Sequence, residues 1–60
     1  MKKVFMVPFP NRAGYSYWLD NGDDESPTWL GTTTAPLLQS EDVVIGLTEE
    51  AYAELESRLS

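Results

Sequence analysis

The side chains best suited to chemistry in this sequence are four carboxylates within six residues, Asp20, Asp23, Asp24 and Glu25. Paired carboxylates can act as a general acid and base when different surroundings separate their pKa values. Neighbours in a polar loop lack the burial that would separate them. We therefore interpret the run as a solvent-facing loop and not as a catalytic dyad, and the same argument applies to the pair at 41–42.

The spacing of this run also argues against an EF-hand calcium loop. Asp20, Gly22 and Asp24 would fill the first, third and fifth positions of such a loop. Glu25 would then stand where the loop requires glycine, and Gly31 where it requires a bidentate glutamate. The glycines are dispersed and form no phosphate-binding pattern. The sequence thus predicts neither a metal site nor another cofactor.

Nucleophilic catalysis lacks its usual residues. The chain contains no cysteine and no histidine, and its only lysines are Lys2 and Lys3 near the start. Serine or cysteine triads with a histidine base therefore cannot form, and no serine has a plausible alternative base. We predict that the protein is not an enzyme.

Composition also bears on where the protein works. The lack of any disulfide favours a cytoplasmic setting, which would be the host cytoplasm for a viral protein. The basic and apolar start, 1–7, imitates a secretory signal, but prolines interrupt it and no A-x-A cleavage site follows. No apolar run approaches the roughly 20 residues that span a bilayer, so we expect no membrane association.

Charge is distributed unevenly along the chain. Residues 1–19 carry Lys2, Lys3 and Arg12 and no acid, a charge of +3, whereas residues 20–60 carry ten acids and Arg58, a charge of −9. The net charge of −6 repels nucleic acid and attracts basic protein surfaces. Phenylalanines near the basic first strand could stack on nucleic-acid bases. The charge of −9 on residues 20–60 opposes phosphate binding, so we expect no direct nucleic-acid contact.

Period-two alternation predicts strands at 3–9, 15–19, about 28–34 and 43–47. In the first strand, Phe5 lies on one face with 7 and 9, and Val4 lies on the other with 6. Trp18 points away from the tyrosines at 15 and 17, and Trp29 can pair with an aromatic residue across the second hairpin. Residues 35–41 fit either a single helical turn or an extended linker.

Thr48 is typical of a helix N-cap, because two glutamates follow it where the helix dipole favours negative charge. The helix has an apolar arc that includes Leu55 and a polar face with Glu54 and Arg58 four residues apart. The chain is therefore expected to form one domain, 1–60, of the α+β class: a small antiparallel sheet of three to four strands with one C-terminal helix packed on one face.

One helix of about 11 residues, roughly 16 Å long, cannot cover both faces of such a sheet. A 60-residue chain buries only about 60% of the surface of its unfolded form. Without disulfides or a metal, small domains often gain stability from a second subunit. We therefore predict a homodimer.

These features together favour a non-enzymatic acidic protein that inhibits or modulates a basic, nucleic-acid-associated protein partner. Spaced carboxylates can imitate a nucleic-acid backbone, and the acidic loop would steer association. Trp18, Trp29 and Tyr17 are the predicted anchors, since interface hot spots favour these residue types. By analogy alone, so small an acidic chain is similar to host-takeover or anti-defence inhibitors of bacterial viruses.

The sequence is also compatible with three alternatives. The acidic loop could serve solubility alone. An oligomer could bind small ligands or nucleotides in an interface pocket lined by Tyr15, Tyr17, Trp18 and Trp29. The chain could also be a structural component of a larger viral assembly, where an exposed sheet edge would pair with a neighbour.

Overall fold

Alternating apolar residues in the first three segments and a capped amphipathic segment at the end produce a four-stranded antiparallel sheet with one helix. The structure is a computed structural model and describes residues 1–59. Its elements are β1 (Lys2–Pro8), β2 (Tyr15–Leu19), β3 (Thr28–Thr33), β4 (Ile45–Leu47) and α1 (Glu49–Leu59). The predicted α+β class is confirmed.

The strand order is β3-β2-β1-β4, with every neighbouring pair antiparallel. β1 is an interior strand, which explains why nearly all its residues are apolar, and it ends at Pro8, which cannot donate to the ladder. β4 is shorter than predicted. Asp42 has a φ of 59° and donates its backbone N–H to the Met6 carbonyl at 2.8 Å. The chain turns there, so ladder pairing begins only at Ile45.

The core lies between the sheet and α1. Val4, Met6 and Tyr17 on the sheet and Leu55 on the helix are its buried apolar residues, with exposed fractions of 5% or less. In the register of β1 and β2, Met6 lies opposite Tyr17 and Val4 lies opposite Leu19. The alternation predicted from the sequence is therefore the one that divides the sheet into a core face and an opposite face.

Helix α1 begins where its cap predicts. The Thr48 hydroxyl accepts a hydrogen bond from the Ala51 N–H at 3.1 Å, and the Thr48 carbonyl accepts one from the Tyr52 N–H at 2.9 Å. Burial raises the pKa of Tyr52 above its usual 10.0, and the negative charge of Glu56 raises it further. No helix in the described residues 1–59 is long and apolar enough to cross a membrane.

The segment before β4 includes residues 35–41, for which the sequence fits either a helical turn or a linker, and it is irregular. The buried Tyr17 hydroxyl ties it to the sheet: it accepts a hydrogen bond from the Leu37 N–H at 3.0 Å and shares one with the Thr33 hydroxyl at 2.7 Å. The Thr33 hydroxyl in turn donates to the Ala35 carbonyl at 2.6 Å. Leu37 and Leu38 pack against the edge of the core.

Gly31 allows the end of α1 to approach β3. Its φ is 156°, and a Cβ at this position would lie 3.1 Å from Cβ of Leu59. The pairing of β2 with β3 shifts register beside it, between Tyr17 and Trp18. The irregularity thus lets the helix lie diagonally, from β4 at its start to β3 at its end.

Candidate functional site: the acidic end and the open sheet face

The sheet register brings the acidic loop and the start of the helix to the same end of the molecule. β2 leaves the sheet opposite the start of β1, since Val4 pairs with Leu19, and the acidic loop follows. β4 also leaves the sheet there, since Lys2 pairs with Leu47, and α1 follows. We call this region the acidic end. It comprises Asp20, Asp23, Asp24, Glu25, Glu49 and Glu50.

The acidic loop is held by its uncharged residues. The Asn21 side-chain amide donates to the Ser26 carbonyl at 3.0 Å and to the Thr28 hydroxyl at 2.7 Å. Asp20 accepts a hydrogen bond from the Gly22 N–H at 3.1 Å, which forms a local turn. The loop is therefore longer than a two-residue hairpin turn, as predicted, and Asn21 is a stabilising residue that sequence reasoning missed because its partners lie five and seven residues away.

The other loop carboxylates are exposed and uncommitted. Within the described residues 1–59, Asp23, Asp24 and Glu25 make no side-chain hydrogen bond or ion pair, and all three are exposed. The two lysines at the start of β1 lie at the same end: Lys2 lies over the Tyr52 ring at 5.5 Å. Six carboxylates against two lysines leave this end with a net charge of −4.

The carboxylates of the acidic end do not form a metal site. Within residues 1–59, no three aspartate or glutamate side chains are close enough to hold a metal ion. What the exposed loop offers instead is a set of separate negative charges. Such charges can attract a basic surface over a distance comparable to the Debye length, about 8 Å at physiological ionic strength.

Within residues 1–59, no helix or strand covers the face of the sheet opposite α1, and we call it the open sheet face. Trp18 of β2 lies opposite Phe5 of β1 and opposite Trp29 of β3. Val44 directly precedes β4, next to Ile45, which pairs with Val4. Trp29, Trp18 and Phe5 thus form one apolar stripe across β3, β2 and β1. Val44, just before β4, lies at its far end; Trp29 is 58% exposed and Val44 is 49% exposed.

Polar groups beneath the stripe are internally paired. The Trp18 indole N–H donates to the Ser16 hydroxyl at 3.0 Å, and that hydroxyl donates to the Val7 carbonyl at 3.2 Å. Ser16 itself is only 7% exposed. The indole therefore needs no partner from solvent, and the surface that it presents is apolar.

A charged pair lies next to the stripe. The Asp20 N–H donates to the Lys3 carbonyl at 2.8 Å, which continues the β1–β2 register and makes the two residues cross-strand neighbours. Both follow the alternation onto the open sheet face. Lys3 and Asp20 have opposite charges, so this row of the open sheet face carries no net charge although the whole chain is strongly acidic.

Two of the three predicted anchors, Trp18 and Trp29, lie together on the open sheet face, and the alternation had indicated this face for Trp18. The prediction that Tyr17 contacts a partner is wrong. Tyr17 is fully buried and its hydroxyl is hydrogen-bonded within the chain, so a partner cannot contact it in the folded state. The sequence predicted that Tyr17 and Trp18 lie on opposite faces of the sheet, but it did not show that α1 covers the face of Tyr17.

The same alternation revises the predicted ligand pocket. Tyr15 and Tyr17 lie on the core face and Trp18 and Trp29 on the open sheet face, so these four residues cannot line one pocket. Depressions do exist elsewhere in the described residues. One, of about 360 Å³, lies between Leu37 and α1, and another, of about 400 Å³, lies beside Arg12, whose guanidinium is stacked 4.5 Å from the Phe9 ring.

No protein-family model matches the chain, and searches of curated proteins and of solved structures also find no match.

Proposed function

We propose that this chain is a non-enzymatic binding protein whose acidic end docks on the basic surface of a nucleic-acid-associated protein and inhibits or modulates it. The observation that supports this most directly is the placement of six carboxylates at one end of the sheet, from two segments far apart in sequence. Exposed carboxylates spaced along a rigid scaffold present negative charge much as phosphates do. A basic groove that binds nucleic acid would accept them in the same place.

Charge complementarity of this kind acts mainly on specificity and on the rate of association. The loop carboxylates at 23–25 are exposed and unpaired within the described residues, so binding does not require an internal ion pair to be broken. Asn21 holds the loop closed without using them. Trp18 and Trp29 lie on the open sheet face and not on the acidic end, so the proposed contact depends on charge.

Two variants with the same change in net charge test this proposal. Asp23→Asn with Asp24→Asn removes two of the six negative charges of the acidic end, whereas Glu41→Gln with Asp42→Asn removes two exposed carboxylates beside the other half of β1. Asn tolerates the positive φ at 42, so the control should fold. Each protein is immobilised and used to capture proteins from a nuclease-treated lysate, and the captured proteins are quantified by mass spectrometry.

We expect the unmodified chain and the control variant to capture the same basic, nucleic-acid-associated protein, and the 23–24 variant to lose at least tenfold of it. Raising the salt from 0.05 to 0.5 M should release the partner, since the Debye length falls from about 14 to about 4 Å. Captured proteins that are not basic, or a loss that is equal in both variants, would contradict the proposal.

A further inference from the structure

From the open sheet face we infer that a second copy of this chain covers it, in a face-to-face dimer whose two-fold axis runs parallel to the strands between β1 and β2. This inference does not depend on the acidic end having the proposed partner. The product would be a four-layer arrangement with the two sheets inside and the two helices outside. Sheets packed in this way lie about 10 Å apart with their strands about 30° from parallel.

The shape of the apolar stripe selects this axis. Rotation about it reverses the strand order, so β3 faces β4 of the second copy and β2 faces β1. Trp29, the largest exposed side chain of the stripe, then lies over Val44 of the second copy, and Trp18 lies over Phe5. Because the interface is isologous, each of these contacts occurs twice. Bulky side chains thus meet smaller ones at both ends of the stripe.

The charges on the face select the same axis. The rotation preserves position along the strands, so the row that holds Lys3 and Asp20 faces the same row of the second copy in reverse order. Asp20 then lies over Lys3 of the second copy, and Lys3 lies over its Asp20. An axis perpendicular to the strands would instead stack Trp29 on Trp29 and Trp18 on Trp18, and would leave Lys3 and Asp20 without opposite charges.

Two further observations favour a second copy over a basic partner on this face. The row of Lys3 and Asp20 carries no net charge there, so it offers a basic surface little attraction. The Ser16 and Trp18 polar groups are already paired, so an apolar cover leaves no buried donor unsatisfied. An uncharged stripe with internally paired polar atoms fits an identical stripe.

The size of the face sets the expected strength. Four strands about 4.8 Å apart and about five residues long give a footprint of roughly 19 by 17 Å. This footprint is about 320 Å² before the protruding rings are added, well below the roughly 800 Å² per partner of a standard specific interface, and is typical of weak, transient contacts. We therefore expect a dimer that is half dissociated between about 1 μM and 1 mM, so mass must be measured across that range.

Sedimentation equilibrium of the purified chain alone tests dimerisation, with a 6.7 kDa protomer as the reference. The mass should double over the range, and Trp29→Lys should weaken dimerisation at least tenfold. Ala53→Lys adds the same charge on the exposed side of α1 and should leave the equilibrium unchanged. A chain that stays monomeric at 1 mM, or equal effects of the two variants, would overturn the inference.

Cross-linking tests the axis, and the absence of native cysteine makes each introduced thiol unique. Trp29→Cys and Val44→Cys change exposed positions, so both variants should fold. Their mixture should cross-link with a bismaleimide whose span, roughly 10 Å, matches the distance between packed sheets. Trp29→Cys alone should not cross-link. The two thiols at position 29 of the dimer are separated by about three strand spacings, roughly 14 Å, in addition to the distance between the sheets. Efficient cross-linking of Trp29→Cys alone would overturn the proposed axis.

Salt separates this contact from partner binding. Each protomer carries a charge of −6, so dimerisation works against repulsion that salt screens. Dimerisation should therefore be equal or stronger at 0.5 M than at 0.05 M salt, whereas capture through the acidic end should weaken. A dimer that dissociates as salt rises would contradict an interface made mainly by the apolar stripe.

Discussion

Replacement of Tyr17 by Phe isolates the one buried hydroxyl that ties the irregular segment before β4 to the sheet. The ring stays and the hydroxyl is lost, so the Leu37 N–H loses its acceptor and the Thr33 hydroxyl loses one of its two partners. A buried donor left without a partner costs about 1–3 kcal/mol. Leu37 is only partly buried and water can reach it in part, so we expect about 1–2 kcal/mol.

That loss is large for a chain of this length. At about 0.05–0.15 kcal/mol per residue, 60 residues have a free energy of unfolding of about 3–9 kcal/mol. A loss of 1 kcal/mol lowers the Tm of a domain of 60–100 residues by about 4–8 °C. Tyr17→Phe should therefore lower the Tm by about 4–16 °C. In this variant, hydrogen exchange of the amides in the segment before β4 should be accelerated, relative to the unmodified chain, more than that of the amides in β1.

Tyr15 provides the matched control. It lies two residues away on the same face of β2, is only partly buried, and its hydroxyl has no hydrogen-bond partner in the described residues. Tyr15→Phe should change the free energy of unfolding by less than about 0.5 kcal/mol, as surface substitutions usually do. Urea denaturation followed by circular dichroism gives both values at constant protein concentration. If the two variants are equally stable, the Tyr17 network does not hold the segment.

Three other substitutions test the helix and its contacts. Thr48→Ala should lower the free energy of unfolding by about 0.5–2 kcal/mol through loss of the N-cap, measured in urea against Thr34→Ala, an exposed threonine without such a bond. Gly31→Ala should cost at least about 1 kcal/mol more than Gly22→Ala in the same assay, because both have positive φ but only Gly31 lies against the end of α1. Burial raises the pKa of Tyr52, so as the pH rises the unfolded state loses the Tyr52 proton before the folded state does. The free energy of unfolding should therefore be retained below pH 10 and decrease above it. Urea denaturation at about pH 9 and about pH 11 should show a smaller decrease for Tyr52→Phe than for the unmodified chain.

Local patterns predicted the helix, the strands and the faces of β1 and β2 well because the determinants of these features are local. Alternation in β1 and β2 assigned Val4 and Phe5 to opposite faces, and the Thr48 cap located the start of α1 within the sequence itself. The predictions that failed depend on tertiary placement. Which side of the sheet α1 covers decided that Tyr17 is core, and the left-handed turn at Asp42 decided that β4 begins only at Ile45.

The candidate site was predicted only in part for the same reason. The acidic loop and the tryptophans are visible as residue types, but the stripe also requires Phe5 beside Trp18 and Val44 at its far end. These positions follow only from the strand order β3-β2-β1-β4. That order places the last strand beside the first, and no property of a single segment encodes it. Sequence reasoning therefore identified the ingredients of the surface without their arrangement.

The strand order also connects the two proposals physically. A two-fold axis parallel to the strands keeps each residue at its own end of the sheet, so the acidic ends of both copies lie at the same end of the dimer. Each has a net charge of −4 when its two lysines are included. The repulsion between them lowers the stability of the dimer, and a basic partner bound across both ends would remove it. Partner binding should consequently favour dimerisation, and dimerisation should strengthen partner binding to the same degree, because linkage between two binding equilibria is reciprocal.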